Sequence, residues 1–272
     1  MSLIRAESVR KTYRAKKRFG SGAKQDTLAL ENVNIEVRAG EILTIVGPSG
    51  CGKSTFLDIV AGLVEYDGGG IFLEDKKIEG PGLDRGVVFQ GYALIPWKNV
   101  LDNVAFGLEA QGIPKEERQA IARRYINLVG LNNFEDRTPH ELSGGMKQRV
   151  AIARALAFDP KVLLMDEPFA AVDEQTRERL QFELLRIVRE TKKTVLFITH
   201  SIDEAVLLGD RVAVMTYRPG TIKATIDVGF SRSEDKRSTS IRSSREFSEI
   251  RELVSHHLKS EIDKAHAAEQ AR

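Results

Sequence analysis

A glycine-rich loop between an apolar segment and a helical pattern constrains the fold of this chain more than any other feature. The segment EILTIV (41–46) has the composition of a buried strand, and GPSGCGKST (Gly47 to Thr55) follows it directly. The residues from Ser54 to Ala61 then have a helical pattern. This arrangement matches the motif G-x-x-x-x-G-K-S in the strand–loop–helix context that it requires. The sequence therefore predicts a phosphate-binding P-loop.

The chemistry of the P-loop explains its composition. Glycines let successive backbone N–H groups turn inward without a Cβ clash, and the helix dipole adds positive potential where a phosphate would bind. We expect Lys53 to reach the β- and γ-phosphates of a nucleotide and Ser54 to offer its hydroxyl to Mg²⁺. A glycine-rich turn without a ligand is the weaker interpretation. The predicted binding residues are Gly47, Pro48, Ser49, Gly50, Cys51, Gly52, Lys53, Ser54 and Thr55.

Short apolar segments alternate with helical patterns along the chain, which is typical of a mainly parallel α/β sheet. The segments 86–90, 161–166 and 194–200 have the composition of strands that are buried on both faces. Before the P-loop, LIRAESV and LALENVNIEV alternate between apolar and polar residues and predict a small antiparallel layer.

Helical periods dominate the middle of the chain and predict an inserted α-helical lobe at about 91–158. The Ser- and Arg-rich residues 231–244 predict a linker. We therefore expect one domain over 1–230, followed over 231–272 by the linker and a C-terminal amphipathic helix. The basic residues of 14–25, which surround a Gly-Ser-Gly centre, predict a loop.

The C-terminal helix has a predicted apolar face and a predicted N-terminal cap. Ser243 and Glu246 have the spacing of a capping box. Packing of the apolar face on its own domain is the favoured interpretation, and contact with a partner is the alternative. The face consists of Phe247, Ile250, Leu253, Val254, Leu258 and Ile262.

Composition excludes several classes of protein. Lys and Arg number 41 and Asp and Glu number 39, so no charge excess indicates nucleic acid as a partner. The one cysteine, Cys51, excludes an internal disulfide and suits a reducing compartment. No apolar run approaches the roughly 20 residues that span a bilayer, and MSLIRAESVRK lacks the apolar core of a signal peptide. We expect a cytosolic chain that associates with a membrane only through a partner.

Polar residues stand where three further predicted strands end. The carboxyl ends of parallel strands meet at the edge of the sheet where ligands bind, so we expect these residues to share an edge with the P-loop. Each alone has an ordinary explanation as a local cap or hydrogen-bond partner. Together they predict a catalytic site. They are Gln90, Asp166, Glu167 and His200.

The roles of these residues follow from what phosphoryl transfer to water requires. Asp166 would bind Mg²⁺ directly or through its water, and Gln90 would sense the metal and the water. Glu167 would polarise the attacking water as general base, and His200 would contact the γ-phosphate. The absence of an N-K-x-D motif for guanine favours ATP as the nucleotide. Tyr13 is the candidate adenine platform; an aromatic anchor of a strand end is its alternative, and Phe19 is a weaker competitor.

A second sequence of phosphate-binding type raises a question. In LSGGMKQR (Leu142 to Arg149), a serine and two glycines precede a helical pattern, which is the form of a phosphate-binding helix N-terminus. The P-loop already supplies one such terminus. Spacing alone does not explain why one ATP site would need two.

The order of these motifs resembles the ATPase subunit of ATP-binding cassette (ABC) transporters over about residues 3–228. The resemblance implies an α/β fold with a RecA-like P-loop NTPase core, a mainly parallel sheet, a small antiparallel layer and an inserted helical lobe. The sequence departs from the family pattern at Ala170, at Val172 and at Met146. The motifs that carry it are GPSGCGKST, Gln90, LSGGMKQR, VLLMDEP, Asp173 and His200.

The resemblance implies a use for the second phosphate-binding sequence. In this family two cassettes pair head to tail, so Ser143, Gly144 and Gly145 would close over the γ-phosphate in the P-loop of the other protomer. Asp173 would cross the dimer axis. The chain is thus expected to form a homodimer around two ATP molecules.

Two segments resemble a narrower group. IEGPGLDRGVVFQ and LIPWKNVLDNVAFGLE are similar to the nitrate/sulfonate/bicarbonate/taurine importers, above all to the taurine branch. This implies peripheral attachment to an integral permease on the cytoplasmic face of the inner membrane, and a periplasmic or lipid-anchored solute-binding protein as indirect partner. Tyr92, Leu94 and Trp97 would line the permease groove; burial of Trp97 in the lobe core is the alternative.

Taurine or another small sulfonate is the first candidate solute, and nitrate, bicarbonate or another small organic anion are alternatives. A soluble ABC-type ATPase of DNA repair or translation is a rival, although such proteins generally carry duplicated cassettes or long inserts. A regulatory module with little turnover would not need Glu167. A lipid-moving complex would differ only in its partner.

Overall fold

The structure is a computed structural model that describes residues 2–15, 26–230 and 239–270. The predicted loop at 14–25, with Phe19, and the first part of the predicted linker therefore lie mainly outside the described residues. The chain divides into two compact units. Unit 1 combines Met1–Pro81 with Leu196–Arg272, and unit 2 is Gly82–Val195.

The regular elements follow one another in α/β order. The strands are β1 (Ser2–Tyr13), β2 (Thr27–Arg38), β3 (Ile42–Val46), β4 (Gly68–Leu73), β5 (Lys76–Lys77), β6 (Arg85–Val88), β7 (Val162–Asp166), β8 (Thr194–Ile198), β9 (Arg211–Met215) and β10 (Ile222–Asp227). The α-helices are α1 (Lys53–Ala61), α2 (Val100–Ala110), α3 (Lys115–Leu128), α4 (Gly144–Ala157), α5 (Glu174–Thr191), α6 (Ile202–Leu208) and α7 (Arg245–Gln270). Short 3₁₀ helices form at Pro139–Glu141 and Thr239–Ser243.

The predicted antiparallel layer is confirmed in unit 1. Its strand order is β2-β1-β4-β5, so β1 is central, and Ile4 pairs with Val37 on one side and Leu73 on the other. Alternate residues of β2 are buried, which is the pattern of a layer with one covered face. The sequence analysis did not predict β4 and β5.

Parallel pairing in unit 1 surrounds the strand that leads to the P-loop. All five residues of β3 are buried, and β3 pairs in parallel with β9. Strand β10 pairs with β9 in antiparallel orientation. Strands β9 and β10 were not predicted. Strand β9 is buried almost throughout and leaves no alternation in its sequence, so its five residues RVAVM do not distinguish a strand from a buried helical turn. Strand β10 does alternate between exposed and less exposed residues.

Unit 2 combines a parallel strand pair with a group of helices. Strands β6 and β7 are parallel, with Val88 opposite Met165. Helices α2, α3 and α4 contact one another, and α4 also packs on β6. The predicted strand at 161–166 and the predicted helix after LSGG both form, the helix beginning at Gly144. The bounds of the helical lobe and of the two domains stay predictions.

The long C-terminal helix α7 packs within unit 1, against α6, β9 and β10. Phe247, Val254 and Leu258 are buried as predicted, but Leu253 is 45% exposed. The predicted cap is wrong by one residue, because the Phe247 N–H donates to the Ser244 hydroxyl at 3.1 Å and the chain up to Ser243 is a 3₁₀ helix. The favoured interpretation of this helix, packing on its own domain, agrees with these contacts.

No helix among residues 2–15, 26–230 and 239–270 is both long enough and apolar enough to cross a bilayer.

Candidate functional site

The P-loop takes a conformation that requires glycine at its helix entrance. Gly52, the N-cap of α1, has a φ of 111°, a region that residues with a Cβ rarely adopt. A Cβ at this position would lie 2.7 Å from Leu30 Cδ2. Gly50 also has a positive φ of 70°. The backbone therefore turns tightly at the start of α1, where the first N–H groups of the helix have no intrahelical partner.

Lys53 lies within the curve of this loop rather than in solvent. It is 6% exposed, and its ammonium group donates to the carbonyl oxygens of Gly47 at 2.8 Å and Pro48 at 3.1 Å. Its charge is thus held beside the N-terminus of α1. Both features favour binding of an anion at this position.

Cys51 of the P-loop is buried, and burial raises the pKa of its thiol, although the nearby Lys53 opposes that rise. The side chain therefore remains a neutral thiol near pH 7 and acts as a small packing group. Its Sγ would lie 2.8 Å from a Cβ at Gly47, so the two positions share one small space.

The turn between β9 and β10, residues 216–221, packs against the P-loop at Gly50 and Cys51. Arg218 Nε donates to the Gly50 carbonyl at 2.6 Å. A Cβ at Gly220 would overlap the carbonyl oxygen of Cys51. The sequence analysis missed this contact. The Pro-Gly pair in YRPGT signals a turn, but it does not show which segment the turn will contact.

Tyr13 lies beside the start of the P-loop helix. Its hydroxyl is 3.4 Å from Thr55 Oγ1, its ring is 43% exposed, and Lys11 Nζ lies 5.4 Å from the ring centroid. Tyr13 also ends β1, opposite Thr27. An exposed ring next to the P-loop is compatible with the predicted adenine platform, and the strand-end anchor remains the alternative.

His200 follows β8 at the edge of unit 1 that carries the P-loop. The Thr199 N–H donates to the Ile45 carbonyl at 3.2 Å, so the chain after β8 lies beside the end of β3. The imidazole itself is exposed, and Ser201 then caps α6. Within unit 1 the structure therefore places His200 and the P-loop at the ends of neighbouring chain segments.

Gln90, Asp166 and Glu167 follow neighbouring strands of unit 2. Because Val88 and Met165 are partners in the parallel pair, the next residues of both strands emerge at the same edge. Glu167 has a φ of 42°, an uncommon conformation for a residue with a side chain. Such strain is concentrated at functional sites, where the surrounding structure maintains it.

The LSGG sequence forms a capped helix N-terminus, which we call the signature turn (Ser143–Gly145). Ser143 is exposed, and its hydroxyl accepts from the Met146 N–H at 3.3 Å. A Cβ at Gly145 would lie 2.7 Å from Thr176 Cγ2, so glycine permits close packing on α5. The turn, in which Ser143 is exposed, Gly144 is half-buried and Gly145 is buried, lies at the positive end of a 14-residue helix.

Two other loops of unit 2 meet the signature turn. A Cβ at Gly144 would lie 3.3 Å from the Tyr92 hydroxyl and 3.5 Å from Val172 Cγ1. Arg154, also on α4, donates to the carbonyl oxygens of Tyr92 at 2.8 Å and Ala93 at 2.5 Å. Side chains of the loop after Gln90 and of the loop after Glu167 thus both lie near the N-terminal end of α4, whereas Arg154 in the last turn of the helix binds the backbone of the loop after Gln90. Sequence reasoning missed Arg154, because it stands among the apolar residues of a buried helix.

Asp173 has a local structural role in addition to the one that the family resemblance implies. It caps α5, with its carboxylate accepting from the Thr176 N–H at 3.0 Å, and this bond lowers the pKa of the carboxyl. The residue is exposed. It therefore stays ionised near neutral pH at the surface of the loop that follows Glu167.

The described residues contain no group of three or more His, Cys, Asp or Glu side chains arranged around a metal. A Mg²⁺ ion that is bound with a nucleotide takes few protein ligands, because phosphate oxygens and water complete its shell. A hydroxyl such as that of Ser54 in unit 1, and the Gln90 amide and Asp166 carboxylate of unit 2, are oxygen donors of the kind that a hard cation takes.

The α/β fold and the P-loop define a P-loop nucleotide-binding protein, and comparison with known proteins agrees with this class. Residues 30–170 match the family model of the ABC transporter. An uncharacterized ABC transporter ATP-binding protein of Methanocaldococcus jannaschii is 56% identical over 87% of this chain and 86% of its own length. The taurine import ATP-binding protein TauB of Escherichia coli K12 is 48% identical over 83% of this chain and 89% of its own length.

A solved structure has the same fold. The dimeric post-hydrolysis state of the ATP-binding cassette MJ0796, bound to ADP and Pi, covers 83% of this chain and 99% of its own, with 33% identity and a TM-score of 0.70. The chain belongs to the ABC transporter ATP-binding family. It is an ATP-binding ATPase of the cassette type.

Proposed function

We propose that this chain is the energy-coupling ATPase of an importer for a small anion, with taurine or another sulfonate as the first candidate solute. One observation carries the proposal: a single chain has two helix N-termini of phosphate-binding form, the P-loop at α1 and the signature turn at α4. The TauB relatives, which are 48% identical, are taurine import ATP-binding proteins. Nitrate, bicarbonate or another organic anion remain alternatives.

We assign the chemistry as follows. Glu167 polarises the attacking water, and His200 contacts the γ-phosphate. Asp166 and Gln90 hold Mg²⁺ together with the Ser54 hydroxyl, and the ion neutralises charge on the phosphates. Tyr13 supports the adenine ring. The remaining nucleotide contacts belong to Gly47, Pro48, Ser49, Gly50, Cys51, Gly52, Lys53 and Thr55.

The signature turn serves the nucleotide of a second protomer. ATP held by the P-loop of one subunit is closed by Ser143, Gly144 and Gly145 of the other, and Asp173 lies near the axis between them. The dimeric structure of the related cassette with ADP and Pi supports this arrangement. Loss of the γ-phosphate removes contacts that hold the dimer, so hydrolysis favours opening.

Ser143→Asp is expected to abolish ATP-driven dimerisation without weakening ATP binding by the monomer. Aspartate still caps α4, but it sets a negative charge against the γ-phosphate, which we expect to lower dimer formation at least ~10-fold. Ser143→Asn is the matched control, since it keeps the cap and the size but not the charge. Analytical ultracentrifugation with and without ATP measures the dimer, and calorimetry measures monomer binding. If Ser143→Asp dimerises as Ser143→Asn does, the assignment of the signature turn is wrong.

Permease attachment is assigned to the surface around Trp97. Trp97 is 81% exposed, which rules out its alternative placement in the lobe core. Tyr92 and Leu94 are half-buried in the same loop. A large exposed aromatic side chain with apolar neighbours suits the docking of a short permease helix. On this proposal the chain works on the cytoplasmic face of the inner membrane, and its 1–230 domain carries both the ATP site and this surface.

Co-purification from gently solubilised membranes of the native cell tests the transport function. We expect a multi-span permease in stoichiometric amount, and the cognate solute-binding protein would then identify the solute. Trp97→Ala is expected to weaken permease binding about 30-fold, as for a central aromatic contact, with ATP binding unchanged. Phe134→Ala, which removes another exposed aromatic residue of unit 2, is the control. Recovery with ribosomes, DNA or a soluble complex would contradict the transporter assignment.

A further inference from the structure

A buried carboxylate stands on the C-terminal helix α7, far in sequence from every residue assigned above. Glu261 is 1% exposed. It accepts from Lys223 Nζ at 2.8 Å and from Lys264 Nζ at 3.0 Å. Burial raises the pKa of Glu261, but hydrogen bonds from Lys223, Lys264 and the Tyr217 backbone outweigh burial and lower it to about 2. The group is therefore an anion at every physiological pH.

The same carboxylate holds the first part of the β9–β10 turn. Glu261 Oε2 accepts from the Tyr217 N–H at 3.1 Å. The turn is also closed internally, because the Thr216 hydroxyl donates to the Pro219 carbonyl at 2.9 Å and accepts from the Thr221 N–H at 3.0 Å. The charge-assisted bond from the Tyr217 N–H to Glu261 therefore fixes the backbone of this closed turn, and with it the position of the Cα of the next residue.

That next side chain is Arg218, whose Nε donates to the Gly50 carbonyl in the P-loop at 2.6 Å. The Gly50–Cys51 peptide is planar, so fixing its carbonyl also fixes the direction of the Cys51 N–H. That N–H donates to the Pro48 carbonyl at 3.3 Å, so the contact with Arg218 helps to fix the turn of the loop from Pro48 to Cys51. The bond therefore acts on the feature of the loop that determines anion binding, the orientation of its peptide groups.

We propose that Arg218 is a positioning residue for the ATP-binding P-loop and that the C-terminal helix sets its position through Glu261. The route runs from Glu261 through the Tyr217 backbone and Arg218 to the Gly50 carbonyl, and all four residues belong to unit 1. The proposal rests on the assignment of the P-loop as the ATP site.

A purely structural role for this contact is less consistent with its geometry. Arg218 is exposed, so its bond to Gly50 does not satisfy a buried side-chain group. Gly220 already packs its backbone against Cys51 in the same turn. The contact with Arg218 therefore orients the peptide group of Gly50, and shielding of the loop from solvent does not depend on it.

The test is a double-mutant cycle on ATP affinity with Arg218→Ala and Glu261→Gln. Each single variant is expected to raise the Kd for ATP about 3- to 10-fold, the range for loss of a charge-assisted hydrogen bond at an exposed site. Glutamine leaves one acceptor oxygen for the lysines and the Tyr217 N–H, where the carboxylate offers two. The double variant is expected to be no weaker than the weaker single variant, because both substitutions weaken the same route. KM for ATP should rise in parallel while kcat changes less than about 2-fold.

Matched controls separate this effect from general changes in charge. Glu249→Gln removes an exposed carboxylate of α7 that pairs with Arg245, and Arg251→Ala removes an exposed guanidinium of the same helix. Both should keep the wild-type Kd. The thermal midpoint of every variant is recorded, so that binding is compared only where all chains are folded. Should Glu261→Gln fail to fold, Arg218→Ala and Arg218→Lys, which keeps the charge but not the Nε donor, carry the test, with both expected to bind ATP more weakly.

Three results would overturn the proposal: unchanged ATP affinity in Arg218→Ala, effects of the two variants that add in the cycle, or a lower thermal midpoint without a change in Kd. Failure of the underlying ATP site has a different signature. In that case Lys53→Ala would bind ATP as the wild type does, and the positioning role would fall with the site.

Discussion

Glu167→Gln is expected to slow ATP turnover at least ~100-fold while the protein still binds ATP, as for the loss of a general base. Glutamine has the same size and keeps a hydrogen-bonding oxygen, but it cannot accept a proton from water. The backbone at this position already has a φ of 42°, and glutamine tolerates it as glutamate does. Steady-state release of phosphate measures the rate, and calorimetry measures the affinity.

Glu174→Gln provides the matched control for this variant. Glu174 is an exposed carboxylate at the start of α5 that pairs with Arg177 at 2.9 Å. Its replacement by glutamine should leave turnover within about 2-fold of wild type, as is usual for surface positions. Near-normal turnover of Glu167→Gln would refute the general-base assignment. Equal losses in both variants would indicate a nonspecific effect of charge.

Lys53→Ala is expected to weaken ATP binding at least ~100-fold. Its buried ammonium group lies among the carbonyl oxygens of Gly47 and Pro48, inside the loop that we assign to the phosphates. The loss of two charge-assisted hydrogen bonds from this ammonium group to phosphate oxygens, at about 1.5 kcal/mol or more each, corresponds to ~3 kcal/mol, or about 100-fold in Kd. Isothermal titration with ATP measures the loss.

Lys76→Ala is the control for charge, because Lys76 is an exposed lysine on β5. It should bind ATP with wild-type affinity. The thermal midpoint of Lys53→Ala is measured with its affinity, because Lys53 also donates to the carbonyl oxygens of Gly47 and Pro48 in the loop. A folded Lys53→Ala with wild-type affinity would show that the phosphates are bound elsewhere.

Several site positions were predictable because their signal is local. A P-loop needs glycine where the backbone has a positive φ, and Gly50 and Gly52 stand at such positions. Parallel strands place their carboxyl ends at one edge, so Gln90 could be paired with Asp166 without knowledge of the three-dimensional structure. The confirmed fold class also follows from this alternation of buried strands and helices.

Other features depended on long-range packing and were missed or misplaced. Strand β9 carries no alternation that identifies it, and the alternation of β10 was not recognised as a strand. On α7, the prediction of a buried apolar face is right for Val254 and Leu258 and wrong for Leu253. The helix is only partly covered, so one side of its apolar stripe is exposed. The side chain that caps α7 is Ser244 and not Ser243. A 3₁₀ helix extends to Ser243, and its hydrogen bonds use backbone groups that an earlier start of α7 would need.

The sequence by itself determined the chemical groups of this ATPase: an anion-binding loop, a carboxylate pair after a buried strand, and a second serine–glycine helix terminus. These follow from local rules of backbone conformation and strand direction. The tertiary structure alone decided which distant groups hold those loops in place. Arg154 anchors the loop after Gln90, and Glu261 with Arg218 reaches the P-loop from nearly the other end of the chain. Such contacts join residues more than 40 positions apart, and no periodicity in a sequence records which surfaces will meet.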